Sequence, residues 1–127
     1  MDEKRRVLIT GAAGLVAEIL RTHWKDRYQL RLADVLRGRD DGPYEEFVKI
    51  DVTEYDQMLQ ACEGMDTVVH LTADPRPSAE FYKTLLPLNI VGAYNAFHAA
   101  YETHCRRIVF ASSGKAVLGY TGDVPIQ

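Results

Sequence analysis

The chain is poor in the features that would mark several common classes of protein. It has only 2 cysteines, Cys62 and Cys105, far apart in sequence. That excludes a disulfide framework and fits a reducing cytoplasm. It has no excess of basic charge: 15 Lys+Arg face 18 Asp+Glu, a net −3, so nucleic acid is not a natural partner. It has no apolar run suited to a bilayer. The stretch from Thr84 to Tyr101 carries no Asp, Glu, Lys or Arg, yet Pro87, Asn89, Asn95 and His98 break it, and it reads as a buried helix. The opening Met1-Asp2-Glu3-Lys4-Arg5-Arg6 leads into only four apolar residues, too few for a signal-peptide core. Repeats, low-complexity tracts and linkers are lacking too. What is present is ordinary for a globular domain, with 46% apolar and 26% charged residues. A length of 127 residues allows one domain, spanning 1–127, and leaves no room for a second.

Short apolar runs alternate with longer amphipathic stretches. Val7-Leu8-Ile9-Thr10 reads as a strand buried on both faces. Residues 15, 16, 19, 20 and 24 fall at helical spacing over Leu15 to Trp24. Gln29 to Asp34 and Phe47 to Ile50 alternate as strands, with a polar Gly/Pro-bearing loop from Leu36 to Tyr44 between them. Thr53, with Asp56 behind it, is placed to cap a short helix that ends near Gly64. Thr67 to Leu71 is a fourth strand. Ser78 can cap a helix that Pro87 interrupts or kinks, and Leu88 to Glu102 is strongly helical. Arg107 to Ala111 is a fifth strand. This order, βαβ–βαβαβ, predicts an α/β fold: a doubly wound parallel sheet of about five strands with helices on both faces.

Where the first strand meets the first helix stands Thr10-Gly11-Ala12-Ala13-Gly14-Leu15-Val16-Ala17. Gly11 permits a tight turn, Gly14 lets the backbone approach a pyrophosphate, and free N–H groups at the helix start face that anion. Gly11, Ala13, Gly14 and Leu15 are the cofactor contacts expected of this turn. Ala17 takes the position usually held by a third glycine, where the helix meets the sheet. Asp34 closes the second strand at the distance expected of an acid on the adenosine ribose hydroxyls. A 2′-phosphate beside Asp34 would meet like charge, which favours NAD over NADP. Arg37 and Arg39, close behind, weaken that preference.

Thr10-Gly-Ala-Ala-Gly, Asp34, Asp51-Val52, Val68-Val-His-Leu-Thr-Ala73, Asn89-Ile-Val-Gly-Ala-Tyr-Asn95 and Phe110-Ala-Ser-Ser113 follow one order and spacing. Together they resemble the extended short-chain dehydrogenase/reductases, the NAD-dependent epimerase/dehydratase group, over essentially the whole chain. The Arg31-Leu-Ala-Asp34 strand and Arg107 to Ser113 look most like uronate dehydrogenases. The resemblance implies a Rossmann-like fold, C-terminally truncated relative to the family, and a role for each block. Asp51 and Val52 would border the adenine. Leu71, Thr72 and Ala73 would line the cofactor's phosphate and ribose. Asn89 would brace the active-site end of the long helix. Ser113, with Ser112 behind it, would hydrogen-bond the substrate oxygen that gains or loses a proton.

The departures shape the functional expectation. The family's Tyr-x-x-x-Lys pair is missing: none of Tyr28, Tyr44, Tyr55, Tyr82, Tyr94, Tyr101 or Tyr120 has a lysine four residues later. Leu118-Gly119 stands where the family has Tyr-Gly, and Gly114-Lys115 where other polar groups are expected. A serine alone has no base beside it to move a proton near neutral pH. The expected role is therefore the NAD-binding portion of a sugar- or sugar-acid-acting oxidoreductase, epimerase or dehydratase, not competent by itself. The alternative is a non-catalytic NAD-binding sensor or interaction module. The fifth strand would leave an apolar edge, so self-association or pairing through that edge is expected unless Tyr120 to Gln127 covers it. The Asp74-Pro75-Arg76-Pro77 loop is a candidate substrate rim, with Arg76 a candidate carboxylate clamp. His70 reads as a satisfied core histidine, and His98, His104 and Cys105 do not form a metal set.

Overall fold

Five short strands form one sheet in the computed structural model, which describes residues 3–113. The expectations for Lys115, Leu118-Gly119 and Tyr120 to Gln127 lie outside the described residues. β1 (Arg6–Thr10) leads to α1 (Leu15–Trp24), β2 (Gln29–Asp34) and β3 (Glu45–Lys49). The chain continues through α2 (Tyr55–Cys62), β4 (Thr67–His70), a wide helical segment (Phe81–Val91), α3 (Gly92–Glu102) and β5 (Arg107–Phe110).

All neighbouring strands are parallel, in the order β3-β2-β1-β4-β5. The path runs outward from β1 through β2 to β3, then returns to the other side of β1 for β4 and β5. The crevice between the carboxyl ends of β1 and β4 is therefore the switch point at which such sheets bind ligands. The register aligns Thr10 with Ala33 on one side and with His70 on the other.

Apolar residues fill both faces, as a buried parallel sheet requires. Leu8, Ala33 and Val68 pack under Met58, Ala61 and Cys62 of α2 and Ala96, Ala99 and Ala100 of α3. Val7, Ile9, Leu30, Leu32 and Val69 pack under Ala17 of α1 on the opposite face, with Leu20 and Trp24 against them. Ala17 is fully buried, so a methyl is the largest group the helix–sheet contact accepts there without rearrangement.

Three local expectations are corrected. In α1, Leu15, Val16 and Ile19 face outward, and Arg21 takes a buried position instead. The face formed by 17, 20, 21 and 24 lies on the sheet, and Arg21 can join it because Glu45 receives its guanidinium (Nε–Oε2 2.8 Å, Nη2–Oε1 3.0 Å). Thr53 does not cap α2. Its hydroxyl and amide both donate to Asp51 Oδ1, at 2.7 and 2.9 Å, and Glu54 is the residue before the helix.

The third correction concerns the long helix. Ser78 does not cap it, and Pro87 distorts the winding without interrupting it: Phe81–Val91 continues into α3. Backbone bonds here reach back five residues, as from the Leu85 amide to the Glu80 carbonyl (3.2 Å) and from Gly92 to Pro87. A proline ring clashes with the carbonyl four residues earlier in an α-helix. The wider winding moves that carbonyl away.

Candidate functional site

Gly11 has φ +69°, a left-handed conformation that glycine adopts without strain. A Cβ there would also lie 3.0 Å from the Leu71 carbonyl carbon and the Thr72 amide nitrogen. The turn can therefore press against the end of β4 only as glycine. At Gly14, a Cβ would sit 3.1 Å from the Gly11 carbonyl oxygen. The Gly14 amide donates to that same oxygen at 3.0 Å, closing the turn.

The next amides open the helix. Those of Leu15, Val16 and Ala17 have no intrahelical acceptor, as in the first turn of any α-helix, and they carry its positive end. Ala13 differs from the expectation. Its amide is taken by Asp34 Oδ2 at 2.9 Å, so it fixes the acid rather than facing an anion. Asp34 Oδ1 accepts from Val35 at 2.7 Å and Leu36 at 3.4 Å, which holds the carboxylate at the rim between β2 and the glycine turn.

Thr10 organises the opposite wall. Its hydroxyl oxygen accepts from the Leu71 and Thr72 amides at 3.1 and 3.3 Å and lies 2.7 Å from His70 Nδ1. With both amides donating to it, the hydroxyl proton goes to Nδ1, and the imidazole proton then sits on Nε2. His70 is buried, stacks on Phe110 and has no partner at Nε2 among the described residues. Burial pushes its pKa down to about 4, so the ring is neutral near pH 7.

These elements enclose a cavity of about 260 Å³ over the carboxyl ends of β1, β2 and β4. Gly11, Gly14, Asp34, Asp51, Val52, Leu71, Thr72 and Ala73 line it, joined by Val35, Ile50 and Leu88, which no local motif marks. Asp51 uses Oδ1 for Thr53 and keeps Oδ2 out of those bonds, so it can serve the turn and a ligand together. A second cavity of about 820 Å³ shares Leu71, Thr72 and Ala73 and extends past His70 and Asn89 to Phe110, Ser112 and Ser113. The two form one cleft, with a narrow compartment over β2 and a wide one over β4 and β5. Ala13 and Leu15 line neither compartment.

Asn89 braces the wide compartment. Its Oδ1 accepts the Asp74 amide at 2.7 Å and its Nδ2 donates to the Asp74 carbonyl at 3.1 Å, so its amide group is committed to the loop after β4. Arg76 is not a free clamp: its Nε and Nη2 meet the two oxygens of Asp74 at 2.8 and 2.6 Å. That pairing holds the Asp74 carboxyl well below the usual carboxylate range and stiffens the rim. Two residues of the Asn89 to Asn95 block act in ways the sequence did not reveal. A Cβ on Gly92 would stand 2.8 Å from Val52 Cγ2, and buried Asn95 donates to the Val52 carbonyl at 2.9 Å. Together they press Val52 into the narrow compartment.

A cleft ending in a helix start, with an acid fixed beside it, has the groups a dinucleotide needs: amides for the pyrophosphate and a carboxylate for ribose hydroxyls. The cavity beside Gly11 and Gly14, with Asp34 and Asp51 on its wall, fits such a group. The sequence profile of the NAD-dependent epimerase/dehydratase family matches residues 7–127. The chain belongs to that family. An NAD-dependent glucose-6-phosphate dehydrogenase of Haloferax volcanii is 35% identical over 119 residues, covering 90% of this chain and 45% of the relative. A uronate dehydrogenase of Pseudomonas putida is 32% identical over 124 residues, covering 96% of this chain and 46% of the relative. A mutant uronate dehydrogenase of Agrobacterium tumefaciens, crystallised with NAD, is 35% identical with a TM-score of 0.78, over 87% of this chain and 41% of that one. The chain thus spans less than half the length of the curated relatives it matches. No helix of the described residues is long and apolar enough to cross a membrane.

Proposed function

We propose that the chain is the NAD-binding part of a dehydrogenase, epimerase or dehydratase acting on a sugar or sugar acid. The observation that carries this reading is the narrow compartment itself. There the glycine turn, Asp34 and Asp51 converge on one cavity beside the unpartnered amides of the first turn of α1.

In this reading the Leu15, Val16 and Ala17 amides and the positive end of α1 hold the pyrophosphate. Asp34, oriented by Ala13 and Val35, accepts the adenosine ribose hydroxyls. Asp51 and Val52 border the adenine. Thr72 and Ala73 lead the cofactor into the wide compartment, where bound NAD would supply hydride transfer. Ser113 lies in that compartment and hydrogen-bonds the substrate oxygen; Asn89 keeps its mouth in shape. Proton transfer needs a group that the sequence lacks, since no tyrosine has lysine four residues on. The 127-residue chain therefore binds the dinucleotide without turning over substrate. Uronic acids and aldose derivatives, named for relatives of this chain, are the first substrates to try.

Copies of the chain associate through β5, whose outer edge has no strand beside it among the described residues. The free thiols of Cys62 and Cys105 suit the reducing cytoplasm. Calorimetric titration tests the reading: NAD binds with measurable heat, and Asp34→Ala weakens it at least tenfold. Absence of heat with NAD and NADH alike contradicts it.

A further inference from the structure

The loop after β2 carries two cations suited to a phosphate, and both are engaged elsewhere. Arg37 Nη2 lies 2.8 Å from Asp41 Oδ2, and its guanidinium sits 5.4 Å from the centre of the Phe47 ring. Arg39 Nε lies 2.8 Å from the Glu18 carboxylate on α1. The loop itself is fastened. Buried Arg21 forks onto Glu45 and also donates to the Asp40 carbonyl at 3.3 Å. Gly38 packs on the glycine turn so closely that a Cβ there would be 3.4 Å from Ala13 Cα. Ala13 in turn donates to Asp34. One run of contacts therefore joins the parked arginines to the acid that faces the ribose.

We propose that Glu18 and Asp41 are specificity-determining residues that hold Arg39 and Arg37 away from the 2′ side of the adenosine ribose. This rests on the NAD-binding reading above. A 2′-phosphate placed beside Asp34 needs a cation to offset the repulsion. The two cations of the loop that follows Asp34 must first leave carboxylate partners, while NAD asks nothing of them. Rejection of a 2′-phosphate thus has two parts, the charge of Asp34 and the withholding of Arg37 and Arg39. Both ion pairs are partly exposed, and exposed pairs are weak, so the second part is worth a moderate factor.

Calorimetric titration of the chain with NADH and NADPH separates the possibilities. Glu18→Gln/Asp41→Asn releases both arginines and leaves Asp34 and the Arg21–Glu45 pair in place. Its NADPH dissociation constant falls by about tenfold, while NADH binding stays within about twofold. Adding Arg37→Ala and Arg39→Ala to that variant abolishes the gain. Glu80→Gln/Glu102→Gln, on the helices of the other face, removes the same charge and gives no gain. An unchanged NADPH-to-NADH ratio, or an equal gain in the charge-matched control, overturns the proposal. If the double variant melts early, Glu18→Gln alone serves, with a smaller gain expected in the same direction and an unchanged ratio equally fatal. Wild type that binds neither dinucleotide refutes the NAD-binding reading and this inference with it. Wild type that binds NADH, beside a variant of unaltered selectivity, refutes the inference alone.

Discussion

The Ala13 amide and the Asp34 carboxylate meet at 2.9 Å, so the acid that closes β2 also fastens the glycine turn that follows β1. Asp34→Ala therefore loses more than a ligand contact. It removes the acceptor of the exposed Ala13 and Val35 amides, which then turn to water, and destabilises the fold by about 0.5–1.5 kcal/mol. Asp34→Asn keeps one oxygen acceptor and costs less stability, yet loses the negative charge that discriminates against a 2′-phosphate. Thermal denaturation of the two variants, run beside NAD titrations, checks the ordering. Equal melting temperatures for wild type and Asp34→Ala would contradict it.

Buried His70 predicts a pH dependence with a definite sign. Its pKa in the fold, about 4, is below the unfolded value of about 6.5. In this interval the unfolded chain takes up a proton that the folded chain refuses. The stability contribution is complete above about pH 6.5 and is lost as pH falls toward 4, by up to about 3 kcal/mol. Glu45 acts in the same direction at lower pH, because its bond to Arg21 holds its carboxyl below the ordinary value. Denaturant melts from pH 7 to pH 4 should show this slope in wild type. In His70→Leu the slope should flatten; an equal slope there would refute the assignment.

Arg21 and Glu45 should behave as a buried pair. Arg21→Leu leaves the Glu45 carboxylate without its counter-ion, at a cost of about 3–5 kcal/mol. Arg21→Leu/Glu45→Leu restores much of that loss, because two apolar groups replace two desolvated charges. Chemical denaturation of both variants measures the difference. A double variant as unstable as the single one would contradict the account.

The edge of the sheet gives a prediction about association. Val109 and Phe110 are nearly half exposed, at 47% and 45%, on a strand with one open side among the described residues. Sedimentation should show concentration-dependent association that Val109→Lys reduces. A monomer at every concentration would contradict pairing through β5.

The succession of elements and the position of the cleft could be read from the sequence because each rests on a strong local signal. Val7, Leu8 and Ile9, followed by Thr10 and Gly11, read as a short buried strand, and alternating strands and helices impose parallel pairing. Asp34 was legible for the same reason, being an acid at a fixed interval beyond a glycine turn. Arg21 was hidden because its burial depends on Glu45, and nothing local marks that tertiary partner. Leu15, Val16 and Ile19 misled because periodicity gives the width of an apolar stripe but not which part of it meets the sheet. Thr53 and Ser78 misled because a hydroxyl before a helix can instead serve a neighbouring carboxylate or stay outside the helix. The support of Val52 by Gly92 and Asn95 was visible only as a motif, since it joins a helix to a strand end far away in sequence. Pro87 normally breaks a helix, and only the wide winding of Phe81–Val91 explains why it does not here.

The central claim is that a pyrophosphate rests on the first turn of α1. Amide chemical-shift mapping by nuclear magnetic resonance during titration with ADP-ribose tests this directly. Gly11, Leu15, Val16 and Ala17 should shift together and saturably, with Asp34 and Val52 following as the adenosine seats. Saturable shifts elsewhere that leave the Leu15 to Ala17 amides unmoved, or no shifts at all, would contradict the account.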